Sequence, residues 1–244
     1  DPAPFWRVNV TGTLNLLDAL RAAGTPKLVF SSTAAVYGVP ERLPVSEDAA
    51  KAPINPYGET KLAAEQAIAT YARAYGISTA VLRYFNVAGA SELIGEDHTP
   101  ETHLIPNVLF AAAGQAPALT VFGTDFPTRD GTAIRDYVHV LDLAEAHVLA
   151  LDALHDEQRS IGAFNLGTRD GATVREVVES VERVTARKVP VQLAERRPGD
   201  PPVLVADSTR AREVLGWTPK RSTLDEMVHS AWSWFQAHPG GYGD

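Results

Sequence analysis

Short runs of β-branched and apolar residues alternate along the chain with longer segments of helical period, and this alternation constrains the fold more than any other feature. Such a pattern specifies α/β layering around a parallel sheet. The first helix is expected from Thr11 to Ala23, closed by Gly24, with Lys27–Ser32 following as a buried strand. A long helix from about Pro56 to Tyr75 puts Ala64, Ile68, Tyr71 and Tyr75 on one face. Thr79–Arg83 reads as the next strand, and the Gly, Pro and charge-mixed stretch from Val87 to Thr102 as a loop. The charge-free stretch Leu104 to Thr124 is long enough to cover a bilayer. Its Pro106, Asn107, Gly114, Gln115 and Pro117 make it instead a buried helix, a turn and a strand at Leu119–Gly123. A helix from about Val140 to Leu154 and a strand at Ala163–Gly167 come next. Thr173 and Glu176 then form a capping box ahead of Val174, Val177, Val178 and Val181. Val189–Glu195 is extended, and two helices close the chain. The last starts near Thr223 and buries Leu224, Met227, Val228, Ala231 and Trp234.

Composition narrows the function classes. The 244 residues are enough for one to two domains, and 45% hydrophobic against 21% charged residues is an ordinary globular balance. With Lys+Arg 22 and Asp+Glu 30 the net charge is −8, which argues against nucleic acid or an anionic membrane as the main partner. The absence of cysteine excludes disulfides, thiolate metal sites and a Cys nucleophile. No segment reads as a signal peptide or a membrane span, and the cytoplasm is the expected compartment. The chain opens on Asp1 and its single methionine is Met227, so the expectation is a processed product or a piece of a longer protein.

The strongest chemical signal is Tyr57-Gly58-Glu59-Thr60-Lys61 at the start of the long helix. One turn separates the phenol from the ammonium, with Cβ atoms ~5–6 Å apart. A free Tyr has a pKa of ~10, too high for a general base at neutral pH. A unit positive charge ~6 Å away at an effective dielectric of ~20 contributes on the order of 3 kcal/mol, about two pKa units. Taken alone, the pair also describes a solvated helix face. Its position adds weight, because it follows by about 25 residues a strand ending in Phe30-Ser31-Ser32-Thr33-Ala34-Ala35-Val36-Tyr37-Gly38. Open α/β sheets place ligands at the carboxyl ends of their strands. His139, His147 and His155 recur every eight residues without an H-E-x-x-H arrangement, so they read as ordinary histidines and no metal is expected.

Together the hydroxyl cluster and the Tyr-x-x-x-Lys helix resemble the short-chain dehydrogenase/reductase superfamily, in which Ser or Thr, Tyr and Lys form the catalytic set. Further segments sharpen the likeness. Asn9-Val10-Thr11-Gly12-Thr13, Arg83-Tyr84-Phe85-Asn86, Asp130-Gly131-Thr132 with Arg135-Asp136-Tyr137-Val138-His139-Val140, Asn165-Leu166-Gly167 and Arg196-Arg197-Pro198-Gly199-Asp200 follow the order and spacing of UDP-glucose 4-epimerases. The resemblance runs from about Asn9 to the end. The related 4,6-dehydratases carry an Asp-Glu pair after the threonine; this chain has Ala34-Ala35, which disfavours elimination.

The resemblance implies a Rossmann-like parallel sheet, its amino-terminal strands missing, with a smaller α/β substrate-binding domain. It assigns 1–88 and 139–170 to the remnant of the NAD-binding domain, and 89–138 and 171–244 to the nucleotide-sugar domain. It further implies Tyr57 as base, Lys61 lowering its pKa and holding the nicotinamide ribose, and Thr33 sharing the proton of the sugar 4-hydroxyl. Asn9, Ser32 and Phe85 would line NAD alongside Thr33, Tyr57 and Lys61. Arg135 and Arg197 would grip the diphosphate of a UDP-sugar, with guanidinium forks suited to phosphate oxygens. Asn86, Leu104, Phe122 and Asp200 would complete the pocket, with Asp200 on ribose hydroxyls. Leu204 would set the room for an N-acetyl group. The expected activity is 4-epimerisation of UDP-glucose and UDP-galactose through a 4-keto sugar, in a homodimer. The alternatives are a 4-epimerase of UDP-N-acetylhexosamine or UDP-pentose, and a truncated, non-catalytic nucleotide-sugar-binding fragment.

One expected feature is not found. The glycines form neither G-x-G-x-x-G nor G-x-x-G-x-x-G, the turns whose backbone N–H groups meet a dinucleotide pyrophosphate. The resemblance therefore covers roughly the last three-quarters of an epimerase. The expectation is that these residues alone bind NAD poorly and leave a raw sheet edge.

Overall fold

The structure, a computed structural model, describes residues 1–24, 27–157 and 160–243. They form two compact units: Asp1–Phe85 with Ala144–Gly167 and Ala206–Thr218, and Asn86–Leu143 with Thr168–Val205 and Pro219–Asp244. The segment Ala206–Thr218 belongs to the first unit, whereas the sequence expectation put it with the nucleotide-sugar domain. No helix among the described residues is long and apolar enough to cross a membrane.

The first unit is built on a parallel three-stranded sheet of β1 (Lys27–Thr33), β2 (Ser78–Tyr84) and a third strand, Gly162–Leu166, in that order. The middle strand is buried from Ser78 to Arg83, as a strand covered on both faces must be. Helical residues run from α1 (Ala3–Phe5) through a π-helical stretch, Trp6–Thr11, into α2 (Gly12–Ala23), which stops at Gly24 in the left-handed region. The sequence reading starts this helix later, because nothing before Thr11 shows helical apolar period. The long helix α3 spans Pro56–Tyr75, as the apolar spacing indicated. Ala64 and Ile68 are buried, but Tyr75 is half exposed, since the last turn extends past the sheet-facing stripe.

Arg83 explains part of the first unit's internal order. It is 4% exposed and forks onto Glu65, with Nε to Oε1 at 2.9 Å and Nη2 to Oε2 at 2.6 Å. Its Nη1 donates to Tyr37 Oη (2.9 Å), and that phenol donates to Asn165 Oδ1 (2.7 Å). A buried guanidinium is tolerated only when its donors are satisfied in this way.

The second unit carries shorter strands: β3 (Asn86–Ala88), β4 (Leu119–Phe122), β5 (Ile134–Arg135) and β6 (Tyr137–His139), with α4 (Leu104–Ala113) between β3 and β4. The helix α5 is Val140–Glu157, and the Gly162–Leu166 strand becomes β7 in chain order. Then follow β8 (Ala172–Thr173), α6 (Val174–Thr185), β9 (Val191–Ala194), β10 (Val203–Leu204), α7 (Thr209–Leu215) and α8 (Leu224–Ala237). β3 pairs with β6 and β4 with β9, both parallel, while β5 lies between β10 and β8. The expected capping box forms at Thr173 with Glu176, and a second one forms at Thr223 with Glu226. The core packs α4, α6 and α8 together through Val108, Leu109, Val177, Val181, Met227 and Val228. Trp232, which the sequence reading passed over, is buried there too.

Candidate active site

In the first unit, β1 delivers Ser31, Ser32 and Thr33 at its carboxyl end, and Thr33 caps the 3₁₀ turn Ala34–Tyr37 by accepting from Ala35 N at 3.1 Å. Asn55 caps α3 from the other side, its Oδ1 accepting from Gly58 N at 2.8 Å, with Pro56 in the first turn. The glycine inside the Tyr57–Lys61 motif is a packing requirement. A Cβ on Gly58 would lie 2.5 Å from the carbonyl oxygen of Ala35, so only glycine lets α3 approach the turn that follows Thr33.

Tyr57 and Thr33 come together: the Thr33 hydroxyl faces the Tyr57 phenol and draws its pKa down. Burial, the largest influence, and the neighbouring Tyr84 outweigh it, so the phenol stands above its ordinary value. Lys61 stands one turn along α3 from Tyr57. Its ammonium lies 5.9 Å from the Tyr57 ring centroid and 5.0 Å from that of Phe30, and donates to Ser31 O at 3.0 Å. Burial also pushes Lys61 below the usual lysine range. Helical spacing put the two side chains on one face; it did not show that the amine reaches for a carbonyl.

Asn9 is tied to the same helix. Its Nδ2 donates to Thr60 Oγ1 at 2.9 Å, and Thr60 donates to Tyr57 O at 2.9 Å. Phe5 sets its ring edge-on to Tyr57, centroids 6.1 Å apart. Phe85 is half-buried at the end of β2, its N–H on Leu166 O. Ser32 is fully buried, and its hydroxyl donates to Glu65 Oε1 at 2.5 Å.

In the second unit, Asn86, Leu104, Phe122, Arg135, Arg197 and Asp200 all line one cavity of about 410 Å³, a size suited to a small ligand. Tyr137 lines it as well, its hydroxyl deeply buried. Arg135 Nη1 donates to Ile134 O and Pro201 O, both at 2.9 Å, which fixes its fork. Asp200 stands between the two arginines, 3.5 Å from Arg135 Nη2 and 3.2 Å from Arg197 Nε. Two guanidinium charges against one carboxylate leave a net positive wall. Burial lowers the Arg135 pKa, the repulsion of Arg197 adds to it, and Asp200 opposes both. Arg197 also covers the Phe122 ring, 4.8 Å from its centroid. Leu204 is not part of this wall; it pairs with Arg135 across β10 and β5.

Other motif residues prove to be scaffold. Asp136, fully buried, accepts from Thr168 N (2.7 Å), Thr168 Oγ1 (2.9 Å) and Arg169 N (3.0 Å). His139 is a buried histidine on Ser230 Oγ at 3.0 Å, and His147 meets Ser31 Oγ at 2.9 Å. Sequence reasoning missed Glu65. A carboxylate in the run of the long helix reads as solvated, and only the opposing Arg83 and Ser32 give it a buried role.

A family model described as GDP-mannose 4,6 dehydratase matches residues 1–231. The UDP-glucose 4-epimerase of Lactobacillus helveticus is 50% identical over 245 residues, covering 100% of this chain and 74% of that protein. The chain belongs to the UDP-glucose 4-epimerase family. The UDP-glucose 4-epimerase of Brucella ovis, solved in complex with NAD, superposes with TM-score 0.93 at 51% identity, over 96% of this chain and 73% of that one. A UDP-glucose-4-epimerase from Stenotrophomonas maltophila, solved with bound NAD and formylated UDP-arabinopyranose, gives 0.93 at 43%, over 98% and 71%. This chain has the parallel α/β layering the sequence pattern indicated and the Rossmann-like fold the family resemblance implied.

Proposed function

We propose that the enzyme carrying this sequence interconverts UDP-glucose and UDP-galactose with NAD as cofactor, through a 4-keto sugar. The observation that carries the reading is the pairing of Thr33 with Tyr57 at the carboxyl end of β1, above Lys61 one helical turn on. The first unit fits a nicotinamide in a specific sense. Burial raises the Tyr57 phenol, so its phenolate lacks a counter-charge that an oxidised ring brings; that ring would press the Lys61 ammonium further down, the way burial already pushes it. Asn9, Lys61 and Phe85 would hold that end of the cofactor. Bound NAD supplies the reversible hydride acceptor for sugar C4.

The chain's own residues do the proton chemistry and the binding. Tyr57 Oη takes the proton of the sugar 4-hydroxyl as C4 becomes a carbonyl, and returns it once the ketone has presented its other face. Thr33 donates to the phenolate and so favours the charged form of the base. Arg135 and Arg197 hold the diphosphate, and Asp200 keeps lone pairs for ribose hydroxyls. Gripping the nucleotide while specifying few contacts to the hexose permits the keto sugar to turn. The turn after Thr33 holds Ala34 and Ala35 where elimination of water would need carboxylic acids, which sets the chain apart from the dehydratase that names the matching family model. A homodimer and a cytoplasmic setting complete the reading.

The test is conversion of UDP-galactose to UDP-glucose by the NAD-loaded enzyme, followed by anomeric proton resonances. Interconversion to a fixed ratio from either sugar is expected; a dehydrated 4-keto-6-deoxy product, or none, would overturn the assignment. Offering UDP-N-acetylgalactosamine and UDP-arabinose in parallel sets the substrate range.

A further inference from the structure

The loop between β3 and α4 is long, irregular and held in place by its own polar contacts. Loops of this length in compact domains are usually functional. Ser91 closes its first turn, with Ile94 N donating to Ser91 Oγ at 2.8 Å. Tyr242 pins the next part: Gly95 N donates to Tyr242 Oη at 3.0 Å, and Tyr242 N donates to Asp97 Oδ2 at 2.9 Å. With Gly95 and Asp97 fixed, Glu96 and His98 both stay exposed. The loop ends at His103, which caps α4.

From this loop we infer a divalent-cation site of the zinc class, formed by Glu96, His98 and His103. Each offers a ligand atom within 4.8 Å of those of the other two. Ligands on one tetrahedral zinc at its usual bond lengths stand roughly 3.4 Å apart. Closing that gap takes about an ångström of movement per group, which rotation of exposed side chains supplies. Two imidazoles and one carboxylate are a donor set for zinc, cobalt or nickel rather than magnesium or calcium, which take oxygen ligands.

A supporting carboxylate singles the cluster out from surface histidines in general. Glu101, its side chain 6% exposed, accepts from His103 Nδ1 at 2.8 Å and also from the backbone N–H of Thr102 and His103, both at 2.6 Å. It thereby orients the ring, fixes the tautomer with hydrogen on Nδ1 and leaves Nε2 for an ion. Metal-bound histidines characteristically have such a partner. The sequence signal is Glu96-x-His98-x₄-His103, backed by Glu101. The bound cation would staple the loop to the start of α4.

The test is calorimetric titration of the chelator-treated chain with Zn²⁺, with Co²⁺ absorption as a second readout. One Zn²⁺ per chain with low-micromolar affinity, and visible cobalt bands of a tetrahedral site, are expected. His98→Ala should remove the signal, Glu101→Gln should weaken it by roughly ten- to a hundredfold, and His229→Ala should leave it unchanged. Glu101→Gln keeps an acceptor for the loop's N–H groups, and circular dichroism of each variant verifies folding. No Zn²⁺ binding up to millimolar concentration would overturn the site, as would binding that survives His98→Ala.

Discussion

At the scale of single residues, the proposed chemistry rests on what surrounds the phenol of Tyr57. Burial holds that phenol above its ordinary pKa and the Thr33 hydroxyl draws it back. Replacing Thr33 by Val removes a stabiliser of the phenolate, so the Tyr57 titration should move further upward. The ultraviolet phenolate band, taken as a difference against Tyr57→Phe, reads this directly, and an unmoved titration would dissociate Thr33 from the base. The sequence contained Thr33, Tyr57 and Lys61, and their spacing set them near one another. It did not contain the balance of forces on them, because desolvation depends on what else packs around the group. Ser32 teaches the same lesson: a serine at a strand end looks available until Glu65, thirty-three positions on, is seen to take its hydroxyl.

At the scale of elements, the junction of α3 with the turn after β1 sets the geometry of the motif. Gly58→Ala would force a methyl to 2.5 Å from Ala35 O and 3.0 Å from Pro53 Cβ, against backbone that has little freedom. Overpacking of this kind costs about 1–3 kcal/mol, expected as a lower urea midpoint together with a fall in turnover larger than any change in UDP affinity. The capped helices of the second unit make an acid-side prediction. Hydrogen bonding to Arg129 holds Glu176 below the usual carboxylate range, and Arg183 does the same for Asp225. A carboxylate depressed in the folded state stabilises above its unfolded pKa, ~4, and loses that contribution as pH falls through the folded value. The urea midpoint should therefore drop between pH 5 and pH 3, and Glu176→Gln with Asp225→Asn should flatten the drop. Helices were the most legible elements in the sequence, since α3, α6 and α8 declare themselves by apolar period, Pro56 and two capping boxes. The two- and three-residue strands β3, β5, β6, β8 and β10 were not, because so few residues carry no period, and their pairing is decided by partners distant in sequence.

At the scale of the whole molecule, the division of labour follows the division into two units. The first holds Asn9, Thr33, Tyr57, Lys61 and Phe85; the second holds the cavity walled by Asn86, Arg135, Arg197 and Asp200. That residues scattered from Asn86 to Asp200 line one cavity was legible only through family resemblance. Spacing alone says nothing of how β5 and the segment before β10 converge. Leu204, carried over in the same way, falls outside the wall. If base and nucleotide grip are separate, one substitution should divide them. The decisive measurement is turnover of UDP-galactose and affinity for UDP in the same NAD-loaded Tyr57→Phe enzyme. Turnover should fall by about 10²–10⁴-fold, the usual contribution of a positioned general base, with UDP affinity unchanged. Turnover within a few-fold of the parent enzyme would contradict the assignment of Tyr57 as the base.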